Sequence, residues 1–191
     1  MGGIAVSGLE TVRILDEALQ ESKCVQGRVL KNKDKEEKMK AVLQRVKHAS
    51  VVVDGETVGK CGEGLMILLG VANGDTEEDA ELLATKISNL RIFSDENDKM
   101  NLSVKNIDGE ALVISQFTLM ANYKKGNRPD YLESAPPQEA NRLYEYFVSL
   151  MEAELRHVGK GVFGAHMEVS LLNDGPVTIL MDSEVLKKKK A

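Results

Sequence analysis

Cysteine, histidine and proline are all scarce in this chain of 191 residues. Two cysteines, Cys24 and Cys61, are too few for a metal cluster or a disulfide framework, and they point to a reducing, cytoplasmic setting. The three histidines, His48, His157 and His166, do not sit at metal-ligand spacing with a cysteine or with one another. No P-loop, dinucleotide fingerprint or G-x-S-x-G elbow is present, so the common phosphate-cradling and serine-hydrolase chemistries are not indicated. No apolar stretch approaches the roughly 20 residues needed to cross a bilayer. The N-terminus, MGGIAVSGLETVRILDEAL, carries acids early and has no basic start followed by an apolar block, so a secretory signal is not expected. Positive charge is also short. The net charge is −5, and it falls to −9 once the four lysines at 187–190 are set aside. A polyanion therefore has no global attraction to this chain and must be met by local basic patches.

What is present suits a water-soluble globular protein: 42% hydrophobic and 29% charged residues, in a length that fits one ordinary domain with an appendage. Ser7 and Glu10 match a capping box, and Leu9, Val12, Leu15 and Leu19 follow at helical spacing, which predicts a helix over 7–22. The apolar-free charge run 31–38, KNKDKEEK, then reads as a solvated linker. Residues 1–38 form an N-terminal extension, 39–186 the main domain and 187–191 a lysine-rich tail.

From Met39 the pattern turns to β. Residues 40–47 and 50–53 are strand-like, and Asp54-Gly55 signals a tight hairpin. The continuous apolar run 64–72 predicts a strand buried on both faces. Asp75 or Thr76 caps a helix whose stripe is Ala80, Leu83, Ala84, Ile87 and Leu90. A strand is predicted over 110–120, and Pro137 opens a second helix with Leu143, Tyr144, Phe147 and Met151 on its apolar face. VFGAHMEVSLLN and GPVTILMD read as a final pair of strands around a turn. These elements predict an α+β fold with a largely antiparallel, barrel-like sheet and two principal helices.

Two segments are not explained by composition alone. Ser115-Gln116-Phe117-Thr118 places polar groups at the end of an apolar strand, where they need partners or a ligand. Asn173-Asp174-Gly175-Pro176 interrupts a strand pattern with a residue that has no N–H to give a ladder. Lys124, Lys125 and Arg128 surround Gly126 in a polar loop, a phosphate contact or simply solvated charge. His166, between two apolar stretches, is either a structural or an acid–base residue.

Read in order, MKAVLQRV (39–46), NLRIF (89–93), KMNLS (99–103), SQFTL (115–119), KGNRPDY (125–131), APP (135–137), FGAHM (163–167) and NDGPVT (173–178) closely resemble D-aminoacyl-tRNA deacylases. The resemblance runs from Met39, which looks like the usual family start, to about Ser183. It implies a homodimer with a barrel-like fold and active sites at the subunit interface. No cofactor or metal is implied. The implied reaction is hydrolysis of the ester joining a D-amino acid, or a glycine mischarged on tRNA-Ala, to the acceptor end of tRNA. Gly175 and Pro176 would form a cis pair that reaches into the other subunit and holds the substrate amino group through its carbonyls, leaving no room for an L side chain. Such a clash rejects the wrong isomer more strongly than contacts would favour the right one. Arg45 would steady that pair, and Asn173 and Met167 would belong to the same substrate-selecting set. Ser115, Gln116 and Phe117 would position the adenosine and stabilise the oxyanion, and Thr118 is either a nucleophile or a bystander to water activated by the tRNA 2′-hydroxyl. Lys124, Lys125 and Arg128 would grip tRNA. Three alternatives stay open: a sister deacylase that clears a mischarged L-amino acid, an editing domain of a threonyl-tRNA synthetase, and a nucleic-acid-binding, replication-associated protein.

Overall fold

The apolar residues after Met39 form one long strand, β1 (Lys40–Val53). It turns through Asp54 and Gly55, whose φ values of +51° and +83° suit the tight turn that an Asp-Gly pair favours. The chain returns as β2 (Glu56–Cys61) and β3 (Gly64–Gly70), which pair with the far and near parts of β1 respectively. His48, expected between two strands, is an exposed residue within β1. The computed structural model describes residues 38–187; the helix expected at 7–22, nearly all of the charged linker and residues 188–191 lie outside the described residues.

Helix α1 (Glu77–Ser88) follows, capped by Thr76. The Thr76 N–H donates to Asp79 Oδ2 at 3.1 Å, closing the first turn. A short antiparallel pair, β4 (Phe93–Ser94) and β5 (Met100–Leu102), leads to β6 (Glu110–Ser115), which lies parallel to β3. Helix α2 (Pro137–Glu154) then carries the chain to β7 (Val158–Lys160), parallel to β6. The two helical crossovers explain why the sheet is mixed: a chain that returns through a helix re-enters in the same direction. β1 keeps antiparallel partners throughout, including β8 (Glu168–Asp182), which ends in a short helix, α3 (Ser183–Leu186). β2 and β7 approach so closely that a Cβ at Gly59 would lie 2.4 Å from the Lys160 carbonyl oxygen, and one at Gly159 equally near that of Lys60. The sheet is thereby nearly closed into a barrel.

Alternation along β3 and β6 divides the core. Leu65, Ile67, Leu69, Ala111 and Val113 face a cluster completed by the helices, with Leu83, Ile87, Leu143, Phe147 and Met151. Met66, Leu112 and Ile114 face a second cluster with Val46, Ala49, Val51 and Cys61. β3 is thus buried on both faces, as its continuous apolar run foretold. The buried Tyr144 hydroxyl donates to the Val113 carbonyl at 2.9 Å, tying α2 to the middle of β6.

Two elements depart from the sequence reading. The strand expected over 110–120 stops at Ser115, because the chain bends into a 3-10 turn at Phe117–Met120. The bend crosses Gly70, where a Cβ would stand 2.9 Å from the Gln116 carbonyl oxygen. The two final strands are a single one: β8 pairs with β1 both before and after Asn173–Thr178, so Gly175-Pro176 is a bulge in a continuous strand rather than a turn between two.

A polar cluster anchors both ends of the described chain. Asp75 accepts from the N–H of Met39 at 3.1 Å and of Ala72 at 2.6 Å, and burial pushes its carboxyl up to about 6. Asp79 has a fully buried side chain and accepts from Ser183 Oγ at 2.6 Å. Lys187 Nζ reaches the same carboxylate at 2.8 Å, so the first lysine of the tail is fixed to the fold. Burial pushes the Asp79 pKa up, but the bonds from Lys187, Ser183 and Thr76 outweigh it and hold the carboxyl below its usual value.

Candidate functional site

β6 delivers Ser115 and Gln116 to the edge of a cavity of about 570 Å³. The Gln116 N–H is spent on the Leu69 carbonyl at 2.7 Å. The next two N–H groups, of Phe117 and Thr118, open the 3-10 turn, where no acceptor within the turn exists for them. The Gln116 side-chain amide donates to Thr118 Oγ1. Phe117 is 56% exposed, and its ring meets Tyr131 edge-on with centroids 5.0 Å apart and planes at 70°. Ser134 Oγ donates to the Phe117 carbonyl at 3.3 Å, bracing the turn against the loop that precedes α2.

The remaining wall is mostly apolar. Ile114, Val71 and Val169 line it, with Phe163, Met167 and the exposed His166 from the segment before β8. Met167 keeps its place because Gly161 has no side chain: a Cβ there would lie 2.6 Å from the Met167 sulfur and 3.1 Å from Ile114 Cδ1. Neither Gly161 nor Tyr131 is marked as special by sequence spacing, and both were missed. The approach of backbone to side chain that requires Gly161 has no local signature. Among the described residues, no three His, Cys, Asp or Glu side chains are grouped to hold a metal ion. Cys61 is buried, and burial pushes its thiol up to about 11, so it is not a reactive thiolate.

Gly175 and Pro176 are joined by a cis peptide bond, are exposed, and do not line the cavity of their own chain. Their bulge is held at its base by polar bonds. Arg45 Nε donates to the Asp174 carbonyl at 3.0 Å and lies 3.2 Å from Asp174 Oδ2, while its NH1 donates to the Ile92 carbonyl at 2.6 Å. Lys47 adds a second cation 3.5 Å from the Asp174 carboxylate. Asn173 clasps the bulge from within: its Oδ1 accepts from the Val177 N–H at 3.2 Å, and its Nδ2 donates to the carbonyls of Val177 and Arg45 at 3.1 and 3.3 Å. The Asn173 side chain is thus occupied by the bulge itself.

Lys124, Lys125 and Arg128 are exposed on a loop closed by an antiparallel bridge between Asn122 and Asp130. Tyr131, on the rim of the cavity, is the next residue after that bridge. The structure therefore joins the cationic loop to the Ser115–Thr118 turn, and leaves Arg45, Asn173, Gly175 and Pro176 as a separate locus within one chain.

A sequence model of the family described as D-Tyr-tRNA(Tyr) deacylase matches residues 42–182. The chain is 58% identical over 146 residues to the D-aminoacyl-tRNA deacylase of Caldicellulosiruptor saccharolyticus, covering 76% of this chain and 98% of the relative. It is 60% identical over 145 residues to the protein of the same name from Dehalococcoides mccartyi, covering 76% and 95%. Among solved structures it is similar to one named c-Myc DNA Unwinding Element Binding Protein, with a TM-score of 0.71, 42% identity, and 75% and 97% of the two chains covered. A probable eukaryotic D-amino acid tRNA deacylase shares the fold at a TM-score of 0.67 and 16% identity, covering 75% and 98%.

Proposed function

The chain belongs to the D-Tyr-tRNA(Tyr) deacylase family, and from that premise we propose that residues 39–186 act as a chiral proofreading domain. The enzyme hydrolyses the ester of a D-aminoacyl-tRNA, releasing the free D-amino acid and tRNA. Glycine mischarged on tRNA-Ala is a further substrate, since it has no side chain to exclude. The observation that carries this reading is the separation of the two loci. Among the described residues, the cavity edged by Ser115, Gln116 and Phe117 has no carboxylate in its lining to hold an ammonium group, and the exposed Gly175-Pro176 bulge, braced by Arg45 and Asn173, does not line it. In a cytoplasmic homodimer, one protomer's bulge enters its partner's cavity, and the two carbonyls receive the substrate amine. A backbone cradle of this kind leaves the D side chain unrestricted and excludes the L side chain by clash.

Water attacks the ester carbonyl, assisted by the 2′-hydroxyl of the terminal adenosine, and the N–H groups of Phe117 and Thr118 receive the oxyanion. The Gln116 N–H is excluded from that role by its bond to Leu69. Among the described residues the Thr118 hydroxyl is bonded to the Gln116 amide and to no base, which disfavours it as a nucleophile. Thr118→Ala is therefore expected to keep turnover within about threefold of the parent. A loss beyond about 100-fold, the scale of a removed nucleophile, would restore the covalent route.

Deacylation of D-Tyr-tRNA beside L-Tyr-tRNA tests the whole reading. Release of tyrosine from the D ester alone is expected; hydrolysis of both or neither would sink it. Neutralising Lys124, Lys125 and Arg128 together is expected to weaken tRNA binding and flatten its salt dependence, while the circular dichroism spectrum is retained. Unchanged affinity at low salt would remove the loop from the interface.

A second reading, duplex-DNA binding, draws support from the 42% identity to the protein named for binding a DNA unwinding element. A titration of the full chain with duplex DNA against salt decides it: salt-dependent affinity in the micromolar range or tighter would support DNA binding.

A further inference from the structure

Tyr123 is 77% exposed on the loop that carries Lys124, Lys125 and Arg128. None of those three cations forms an ion pair among the described residues. The loop is held at its base: the Asn122 N–H donates to the Asp130 carbonyl at 2.8 Å and the Asp130 N–H returns the bond at 3.0 Å. Asn122 Oδ1 accepts from the Lys124 N–H at 3.2 Å, and Gly126 supplies the left-handed φ of +72° at the tip.

Tyr123 follows one end of this bridge, on the loop side, and Tyr131 follows the other end, so both rings lie one residue from the same pair, Asn122 and Asp130. Tyr131 lines the cavity and packs on Phe117. Tyr123 is thus an exposed ring one bridge away from the residue that forms the cavity rim, and the cations of the loop follow it directly in the chain. An isolated exposed ring would mean nothing by itself. A ring interleaved with free cations beside a nucleotide-sized cavity is the pattern that binds single-stranded nucleic acid, where cations follow the backbone and the ring takes a base face.

We propose that Tyr123 is a stacking platform for an unpaired nucleotide of the tRNA acceptor end, the one entering the site just ahead of the terminal adenosine. This rests on the deacylase reading and adds to it a site for a single-stranded ribonucleotide. The platform favours an unpaired end over a duplex, whose base faces are hidden. It also locates the recognition of tRNA outside the cavity, where the amino acid is irrelevant.

The test compares two substrates, D-Tyr-tRNA(Tyr) and the D-tyrosyl ester of adenosine, which keeps the cavity chemistry and lacks the preceding nucleotides. Tyr123→Ala is expected to raise KM for D-Tyr-tRNA by about 5- to 150-fold, the range given by losing one base–aromatic stack. kcat on that substrate and both constants on the adenosine ester should be unchanged, and Tyr123→Phe should restore the parent KM. An unchanged KM on tRNA, or equal losses on both substrates, would overturn the platform. So would a shift in sedimentation mass on Tyr123→Ala, which would make the ring a contact between copies of this chain. Failure of the unaltered enzyme on both substrates would overturn the deacylase reading itself, a result distinct from either loss above.

Discussion

Replacing Gly175 by alanine is expected to lower kcat/KM for D-Tyr-tRNA by at least about 100-fold, the cost of misplacing a substrate-positioning group by an ångström. The backbone at Gly175 has φ of +141°, which L residues rarely adopt. An added Cβ would lie 2.8 Å from both the N and Cγ2 of Val177 and 3.2 Å from NH2 of Arg45. Rotating the Val177 side chain relieves one of these contacts but not the backbone one, and the Val177 N–H is held by Asn173. The bulge must therefore move as a unit, taking its carbonyls with it. Thermal unfolding should fall by only a few degrees, because the bulge is exposed and its base stays bonded. Activity retained within threefold would remove Gly175-Pro176 from substrate selection.

Asp79→Asn should carry the largest stability effect, a loss of about 2–4 kcal/mol at pH 7, typical of breaking a buried, hydrogen-bonded ion pair. One carboxylate serves Ser183, Thr76 and Lys187 together, so the substitution loosens the start of α1, the end of β8 and the last described lysine at once. The sign of its pH dependence follows from a carboxyl held below its usual value in the folded state. Its stabilisation is complete above about pH 4 and is lost as pH falls through the lower folded value. Urea unfolding of parent and Asp79→Asn should therefore diverge at pH 7 and converge toward pH 3. A constant gap across that range would mean that the charge of Asp79 is not what stabilises. Asp75 runs the other way. Raised to about 6, it contributes stability that is present below its unfolded value near 3.8 and lost as pH rises through 6.

Much of this architecture was legible because it is written in local patterns. The Asp54-Gly55 turn, the apolar stripe of α1 and Pro137 at the first turn of α2 each depend on neighbours within a few residues. Ser115–Thr118 stands out because polar groups end an apolar strand, and its first three residues edge the cavity while Thr118 does not line it. The misjudged features depend on partners distant in the chain. Nothing within GPVTILMD reveals that β1 runs past it unbroken, so a bulge and a turn look alike until the pairing is seen. The bend after Ser115 depends on Gly70, and the cavity wall at Met167 depends on Gly161; in each case the decisive property is a missing side chain elsewhere. Lys187 reads in the sequence as the first residue of a lysine-rich tail, because the carboxylate that binds it lies more than a hundred residues earlier.

The bulge in β8 also settles an arithmetic of faces. Between Thr178 and Asn173 the strand advances five residues while β1 advances two, from Gln44 to Val46. The excess of three is odd, and an odd excess exchanges the two sides of a strand. Val177, Ile179 and Met181 consequently pack on the helix-side cluster, whereas Val169 and Leu171, of the same parity, pack on the other. Adding or removing one residue between Asn173 and Thr178 would turn one half of β8 inside out. Changes of two would keep both halves in place, so the segment that presents Gly175-Pro176 is free to vary in length only by pairs.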